Sequence, residues 1–224
     1  MESASLLALT HNATLLLAII FIYDLMLNHQ ASGPAYRHQS LVGIGLGAAA
    51  IIIMLTPWEF APGIIFDTRS VLLGMSGLFF GLIPTVIAML IAAVFRFYQG
   101  GSAVLTGIGV ILLSGLAGLL WRHFREHILI KISVLELYLF GIVTHLIMLG
   151  LMFILPLETA KNILTAIGVQ VLVIYPLAAV LLGVLFSARL RRKQLSELLA
   201  ENEFLFRSQF DCGNIGIEIG RAHV

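Results

Sequence analysis

The chain contains few charged residues, which excludes the commonest class of protein at the outset. Lys, Arg, Asp and Glu make up 11% of its 224 residues, whereas a soluble domain carries roughly 25%. Hydrophobic residues make up 59%, and the mean hydropathy is +1.02. This balance argues against a soluble globular domain and predicts an integral membrane protein that lies in a lipid bilayer.

Cysteine and net charge are also scarce. Cys212 has no second cysteine with which to form an internal disulfide, and it is too isolated for a zinc site. The formal net charge is +1, which argues against a nucleic-acid partner because such domains carry a strongly basic face. The opening MESASLLALTHN lacks the basic segment of a signal peptide, so we expect the following apolar block to remain as a helix. We expect no metal and no cofactor.

Long apolar runs are what the sequence has in abundance. A membrane helix needs about 20 apolar residues. The blocks that qualify or nearly qualify are 13–27, 41–58, 103–121, 134–155 and 163–187. A further block, 71–97, is long for one span and contains GLIPT, where Gly81 and Pro84 either kink one helix or reverse the chain between two short helices. The fold class is therefore an all-α, polytopic membrane helix bundle with six or seven membrane helices.

Basic segments predict the orientation of the bundle. WRHFREHILIK and RLRRK hold the densest groups of Arg and Lys, so both are expected in the cytoplasm. If 71–97 were one helix, AYRHQS would lie outside, against the positive-inside rule. A reversal between Gly81 and Pro84 places AYRHQS inside and both FDTRS and RFYQGG outside. We favour the reversal, which predicts seven membrane helices, two of them short, and a cytoplasmic C-terminus.

The reversal brings two arginines to the same outer face. Arg69 and Arg96 then stand at the open ends of one hairpin, with Gly100 and Gly101 beside the second. Guanidinium groups match a carboxylate with two parallel hydrogen bonds, and exposed glycine N–H groups can add donors. This pattern predicts a site for a small anion. The alternative is structural: Asp67 caps the helix that follows it, and each arginine binds a neighbour or lipid phosphate.

Three other ionisable residues lie in or near the predicted spans, and such groups are functional hypotheses by default. We expect structural roles for Asp24 and Glu136, which lie near cytoplasmic ends where water relieves the cost of burial. His145 can stay neutral and hydrogen-bond across helices. A membrane enzyme would need these groups to converge, and their predicted depths differ. We therefore assign no catalytic residue.

The run FDTRSVLLGMSGLFFGLIPTVIAMLIAAVFRFYQGGSAVLTGIG resembles the core of the five-transmembrane receptor domain of the LytS-YhcK type. The pattern is Asp-x-Arg, a Gly-rich middle and an Arg followed by Gly-Gly, and the resemblance extends over 41–188. The middle departs from the usual Gly-Pro order, since two residues separate Gly81 from Pro84. The resemblance implies a sensor input domain in a bacterial inner (plasma) membrane, similar in fold to the substrate-binding subunits of vitamin transporters.

The same resemblance implies roles for particular residues. Arg69 and Arg96 would bind the ligand carboxylate, and Asp67 would orient Arg69. Some members of the family respond to pyruvate, so a pyruvate-like 2-oxo acid is the expected ligand, sensed on behalf of a histidine kinase or diguanylate cyclase output. The rival is the solute-binding subunit of a membrane transporter. It is less favoured because the chain continues into a signalling-type helix.

That helix is predicted over 189–206, after the last span. Leu195, Leu198, Asn202 and Leu205 follow heptad a/d spacing, which suits a parallel two-helix coiled coil and predicts a homodimer. The alternative is a solvated amphipathic helix. The next segment, 207–218, resembles the start of a PAS domain, so the domain order is an N-terminal helix and loop (1–40), the receptor domain (41–188), the signalling helix and a truncated PAS domain.

The last residues, IGRAHV, are the translation of ATC GGA AGA GCA CAC GTC, the start of a widely used sequencing-adapter oligonucleotide. We hypothesise that native sequence stops near Ile217, and we ascribe no function to 219–224. Any enzyme activity would then reside in an output domain beyond this fragment. Re-sequencing the genomic locus tests the hypothesis, because a native gene that continues into GRAHV contradicts it.

Overall fold

The structure is a computed structural model that describes residues 10–11, 13–14, 16, 35–61, 63–125 and 132–222. Its elements are α1 (Ala35–Leu55), β1 (Trp58–Ala61), β2 (Ile64–Phe66), α2 (Arg69–Phe80), α3 (Leu82–Gln99), α4 (Val104–Arg125), α5 (Val134–Leu151), a 3-10 turn (Met152–Ile154) and α6 (Leu157–Ala222). Among the described residues, five helices are long and apolar enough to cross a membrane, and α2 is a shorter apolar helix. The predicted all-α membrane bundle is confirmed. Most of the predicted first span, with Asp24, lies outside the described residues.

Gly81 separates α2 from α3. Its φ of 83° and ψ of −165° belong to a region that only glycine adopts readily, so α2 stops there. Pro84 lies in the first turn of α3, where a missing backbone N–H is tolerated. The hydroxyl groups of Ser76 and Thr85 lie 3.0 Å apart, which shows that the two helices fold back against each other. The predicted reversal between Gly81 and Pro84 is therefore confirmed.

Contacts between helix ends define two ends of the bundle. The Gln99 side-chain amide donates to the Met54 carbonyl at 2.8 Å, so α1 and α3 finish on the same side. We call this side the hairpin end, because the antiparallel β1–β2 hairpin follows α1 there. At the opposite side, Arg122 Nη1 donates to the carbonyls of Leu78 (3.3 Å) and Phe79 (3.0 Å), where α2 finishes.

We call that opposite side the basic end. Helix α5 begins there, since Arg125 of α4 forms a 2.7 Å ion pair with Glu136. Helix α6 leaves the bundle there, because Phe186 packs against Phe79 and Phe80 with ring centroids 5.5 and 4.9 Å apart. The arginines on the helix segments at this end are Arg37, Arg122, Arg125, Arg189, Arg191 and Arg192. The predicted basic segments therefore meet at one end of the molecule.

Glycine allows α2 and α4 to approach closely. A Cβ on Gly77 would lie 2.5 Å from the carbonyl oxygen of Gly115, and a Cβ on Gly118 would meet the carbonyl oxygen of Gly74. Small residues at such interfaces let two membrane helices pack backbone to backbone. The glycines of GIGVILLSGLAG thus serve to pack this pair of helices.

The structure differs from the predicted elements at two places. Helix α1 ends at Leu55 rather than Trp58, because Pro57 cannot continue a helix, and Trp58 instead pairs with Phe66 in the unpredicted β hairpin. The described backbone of 207–218 is helical, as part of α6. The start of a PAS domain in that segment stays a prediction.

Candidate anion-binding site

Asp67, Arg69 and Arg96 lie together at the hairpin end of the bundle. Their exposed fractions are 3%, 4% and 2%, and all three line one cavity of about 20 Å³. A guanidinium group carries a positive charge in proteins. These three are the charged residues among the described residues that line the cavity. Two cations and one carboxylate leave a net charge of +1 buried there. A buried net charge is costly unless a counter-ion neutralises it.

Asp67 fixes the first of the two arginines. Its Oδ1 accepts from the backbone N–H of Arg69 at 3.0 Å, and its Oδ2 accepts from Arg69 Nη1 at 3.0 Å. The first contact satisfies a free N–H group at the start of α2, and the second is a charge-assisted hydrogen bond. The N-cap position itself belongs to Thr68, so the predicted N-cap role of Asp67 is wrong, although its carboxylate contacts both the first backbone N–H of α2 and the Arg69 side chain.

Arg96 reaches the site from the last turn of α3. Its Nη1 donates to the Gly100 carbonyl at 2.8 Å, and its Nη2 donates to the Gly63 carbonyl at 3.4 Å. Its Nε, although buried, has no hydrogen-bond partner among the described residues. An unused buried donor on a charged group is expensive, so this N–H group is a ready contact for a ligand oxygen.

Gly107 lies where the two guanidinium groups approach each other. A Cβ on Gly107 would lie 2.5 Å from Arg96 Nε and 3.2 Å from Arg69 Nη2. Any other residue at this position of α4 would therefore displace the unused donor. Sequence reasoning missed Gly107, because a glycine in GIGVILLSGLAG has helix packing as its ordinary explanation. One feature of the sequence could have identified Gly107: it lies one turn inside α4, at nearly the same depth in the membrane as Arg96.

The predicted glycine pair lies beside the cavity rather than in its wall. The backbone N–H of Gly100 donates to the Phe97 carbonyl at 3.2 Å, so this group is already used. Gly101 lies against Gly63, since a Cβ on Gly101 would be 2.8 Å from the Gly63 Cα. The structure thus brings together Asp67, Arg69 and Arg96, with the two glycines at the rim.

The rest of the cavity is mostly apolar and small. Its further lining residues are Ile64, Ile65, Phe66, Ala103, Thr106, Gly107, Val110, Met148 and Met152. A volume of about 20 Å³ holds roughly one water molecule, so the described conformation has no room for a carboxylic acid. A ligand suited to this site is anionic at one end, small and otherwise weakly polar.

A chain of polar side chains leads from α2 to α6. Ser70 Oγ lies 3.1 Å from His145 Nε2, and His145 Nδ1 lies 2.7 Å from the Gly141 carbonyl. Because a carbonyl only accepts, Nδ1 carries the proton and Nε2 accepts from Ser70. The His145 ring packs edge-on against Tyr175 of α6 at 4.9 Å. The predicted hydrogen bond of His145 across helices is confirmed, whereas Ser70 and Tyr175 were not predicted.

Glu136 lies far from this chain, at the basic end. It pairs with Arg125 and accepts from Trp121 Nε1 at 3.2 Å. His145 instead contacts Ser70, next to the arginine site. Glu136 and His145 therefore do not converge, as we expected from their different depths in the predicted spans. The contacts of each residue give it a structural explanation.

Comparison with known proteins gives one match. A family model described as 5TMR of 5TMR-LYT matches residues 20–189. Searches of the curated proteins and of the solved structures returned no significant match. The matched range begins within the N-terminal apolar block, contains the whole helix bundle from α1 to the basic end of α6, and includes both arginines.

Proposed function

The chain belongs to the 5TMR of 5TMR-LYT family and is a membrane receptor domain of a signalling protein, and we propose that it senses a small carboxylate. A pyruvate-like 2-oxo acid is the best single candidate. Arg69 and Arg96 would bind its carboxylate, Asp67 would hold Arg69 in place, and Gly100 and Gly101 would shape the rim.

The observation that carries this proposal is the net charge of +1 buried with Arg96 Nε unused. A monoanion placed over Gly107 would neutralise that charge and accept from both guanidinium groups. Charge interactions are strong in such a low-dielectric site, so a single carboxylate is sufficient to give affinity. Thr106 lines the same cavity, and its hydroxyl would offer a hydrogen bond to a second polar atom of the ligand, such as a 2-oxo group.

The proposed orientation places the hairpin end outside and the basic end in the cytoplasm of a bacterial inner membrane. It rests on the concentration of arginines at the basic end, since cytoplasmic ends of membrane helices carry the excess of Lys and Arg. The ligand would then reach the arginines from outside. The C-terminal part of α6 would extend into the cytoplasm toward a histidine kinase or diguanylate cyclase.

The proposed signal passes from the site to α6. Ser70 directly follows Arg69 and contacts His145, whose ring packs against Tyr175 of α6. A ligand that moves the start of α2 therefore acts on the helix that leaves the bundle. Such a ligand shifts the receptor only as far as its affinities for two conformations differ.

Thermal unfolding of the detergent-purified chain across a panel of small carboxylates tests the ligand. At 100 times its dissociation constant, a bound acid should add about 2.7 kcal/mol to the free energy of unfolding. Arg69→Gln and Arg96→Gln should each abolish the shift, and Arg125→Gln at the basic end should keep it. Stabilisation that survives both site substitutions, or no stabilisation by any acid, contradicts the proposal.

A further inference from the structure

The β1–β2 hairpin covers the arginine pair on the hairpin end. Ile64, Ile65 and Phe66 of β2 form part of the cavity wall, and Ile64 and Phe66 are buried. Asp67, Arg69 and Arg96 are almost completely shielded from solvent. Since the cavity holds about one water, a molecule the size of a carboxylic acid reaches the arginines only if part of this cover moves.

The hairpin is the weakest part of the cover. Its strands have four and three residues, with an irregular register between Glu59 and Ala61, and isolated two-stranded hairpins are marginally stable. The helices beside it are apolar spans packed against one another through glycine contacts. Motion in such a structure concentrates in the element with the fewest stabilising contacts.

Two contacts to the backbone of Gly63 hold the hairpin turn against the helices. The first is a direct stack of glycines: a Cβ on Gly63 would lie 2.9 Å from the Gly101 Cα and 2.7 Å from the Ser102 nitrogen. The second is the 3.4 Å hydrogen bond from Arg96 Nη2 to the Gly63 carbonyl. Both contacts are made by the turn between β1 and β2, so both break when the hairpin lifts.

We infer that the β1–β2 hairpin is a lid over the arginine pair and that Arg96 is its latch. For the identity of the ligand, the inference rests on the proposed function. The opening of the lid is a property of the chain without ligand. An anion that binds Arg96 side-on, through Nε and Nη2, takes the second donor from the Gly63 carbonyl. Site occupancy and lid closure are thereby linked through one N–H group.

Two glycines with positive φ provide matched variants. Gly101 and Gly81 have φ of 96° and 83°, so alanine is strained at either position. A Cβ on Gly101 would meet the lid backbone, whereas a Cβ on Gly81, at the opposite end of the bundle, would lie 3.6 Å from the Arg122 guanidinium, an ordinary contact. Gly101→Ala should therefore hold the lid open, and Gly81→Ala should impose similar backbone strain without moving the lid.

The experiment measures access to the cavity without a ligand. Val110→Cys places a thiol in the cavity wall, and Cys212→Ser removes the native thiol. The probe is sulfonatoethyl methanethiosulfonate, an anionic thiol reagent, and the readout is its rate of reaction. Gly101→Ala should raise the rate by about tenfold or more, as expected if the open population rises by that factor. Gly81→Ala should leave the rate unchanged. Equal rates in the two variants, or a parent thiol that reacts as fast as an exposed one, overturn the inference.

Pyruvate added to the same reaction separates this inference from the proposed function. Protection of Cys at 110 by pyruvate supports both, whereas a Gly101-dependent rate without protection keeps the lid and contradicts pyruvate as the ligand. If Gly101→Ala does not fold, hydrogen exchange of the backbone N–H groups in the parent chain tests the lid instead. The backbone N–H groups of β1 and β2 should exchange faster than those of α2, and equal protection of the two elements contradicts a lid.

Discussion

Gly107 leaves the space in which the guanidinium groups of Arg69 and Arg96 approach each other. The site therefore depends on the absence of a side chain as much as on the charged groups themselves. Gly109, one half-turn further along α4, has much more room, since a Cβ there would meet only Leu151 methyl groups at 3.5 Å.

Gly107→Ala should abolish pyruvate-dependent stabilisation and cost about 1–3 kcal/mol of unfolding free energy through overpacking. The new Cβ would lie 2.5 Å from Arg96 Nε and push it out of the site. Gly109→Ala is the matched control and should keep ligand binding with equal or slightly higher stability. Thermal unfolding with and without pyruvate measures both effects. Ligand binding that persists at full strength in Gly107→Ala contradicts the proposed placement of the carboxylate.

The Tyr175 hydroxyl is buried and has no hydrogen-bond partner within the part of the chain that the structure describes. Leaving such a group unpaired costs about 1–3 kcal/mol, so Tyr175→Phe should stabilise the ligand-free chain by an amount of that order. Tyr138→Phe, at a partly exposed position of α5, is the control and should be close to neutral. Thermal unfolding in detergent measures both variants. A destabilised Tyr175→Phe would mean that the hydroxyl is satisfied in the folded protein.

Helix α2 is short because Gly81 ends it, and this break is what makes the charged site possible. The left-handed φ at Gly81 turns the chain back, so Arg69 and Arg96 lie near the same end of adjacent antiparallel helices. Arg122 supports the turn from α4 by donating to the last carbonyls of α2. One continuous helix over 71–97 would instead separate the two arginines by the thickness of the membrane.

Gly81→Ala should destabilise the chain by about 1–3 kcal/mol, since alanine is strained at that combination of φ and ψ. The new Cβ would lie 3.6 Å from the Arg122 guanidinium, an ordinary contact, so the cost comes from the backbone. Gly150→Ala is the control, because its Cβ meets nothing within 4 Å in a helical segment, and it should be neutral or slightly stabilising. Equal melting temperatures for the two variants would show that the break does not need glycine.

The sequence predicted this break but not the hairpin beside it. Gly and Pro in GLIPT are strong local signals, because their effect on φ and on the helix does not depend on the rest of the fold. The strands have three and four residues, which is too short to show an alternation of polar and apolar side chains. Trp58 and Phe66 are as apolar as the residues of a membrane helix. Their pairing depends on where the ends of α1 and α2 lie.

The orientation of the whole molecule is testable with single cysteines in a Cys212→Ser chain. Glu158→Cys, in the first turn of α6, reports the hairpin end, and Ser196→Cys reports the segment beyond the basic end. In intact bacteria, a membrane-impermeant maleimide should label Cys at 158 and should label Cys at 196 only after permeabilisation. The opposite pattern contradicts both the orientation and the access of the ligand from outside.

Dimerisation through α6 is a further prediction for the assembled protein. Leu195 and Leu198 are exposed on a single chain, as a/d positions of an unpaired coiled coil should be. In the Cys212→Ser background, Leu198→Cys should form a disulfide-linked dimer under mild oxidation in membranes, and Ser196→Cys on the outer face of the helix should not. Equal cross-linking at the two positions, or none at either, contradicts the parallel coiled coil.

The sequence by itself determined that this chain is a membrane bundle and that it carries Asp67, Arg69 and Arg96 in its apolar part, and its basic segments favoured the turn near Gly81. These conclusions rest on quantities that can be read along the chain, namely the transfer of side chains to lipid, the distribution of Arg and Lys and the cost of a charge in a membrane. Only the tertiary structure decided that Gly107 makes room for both guanidinium groups, that Gly63 lies on Gly101, and that His145 links Ser70 to Tyr175. Such contacts depend on the rotation and depth of helices distant in sequence. Hydropathy does not encode these, because helix faces toward lipid and toward the core are equally apolar in a membrane.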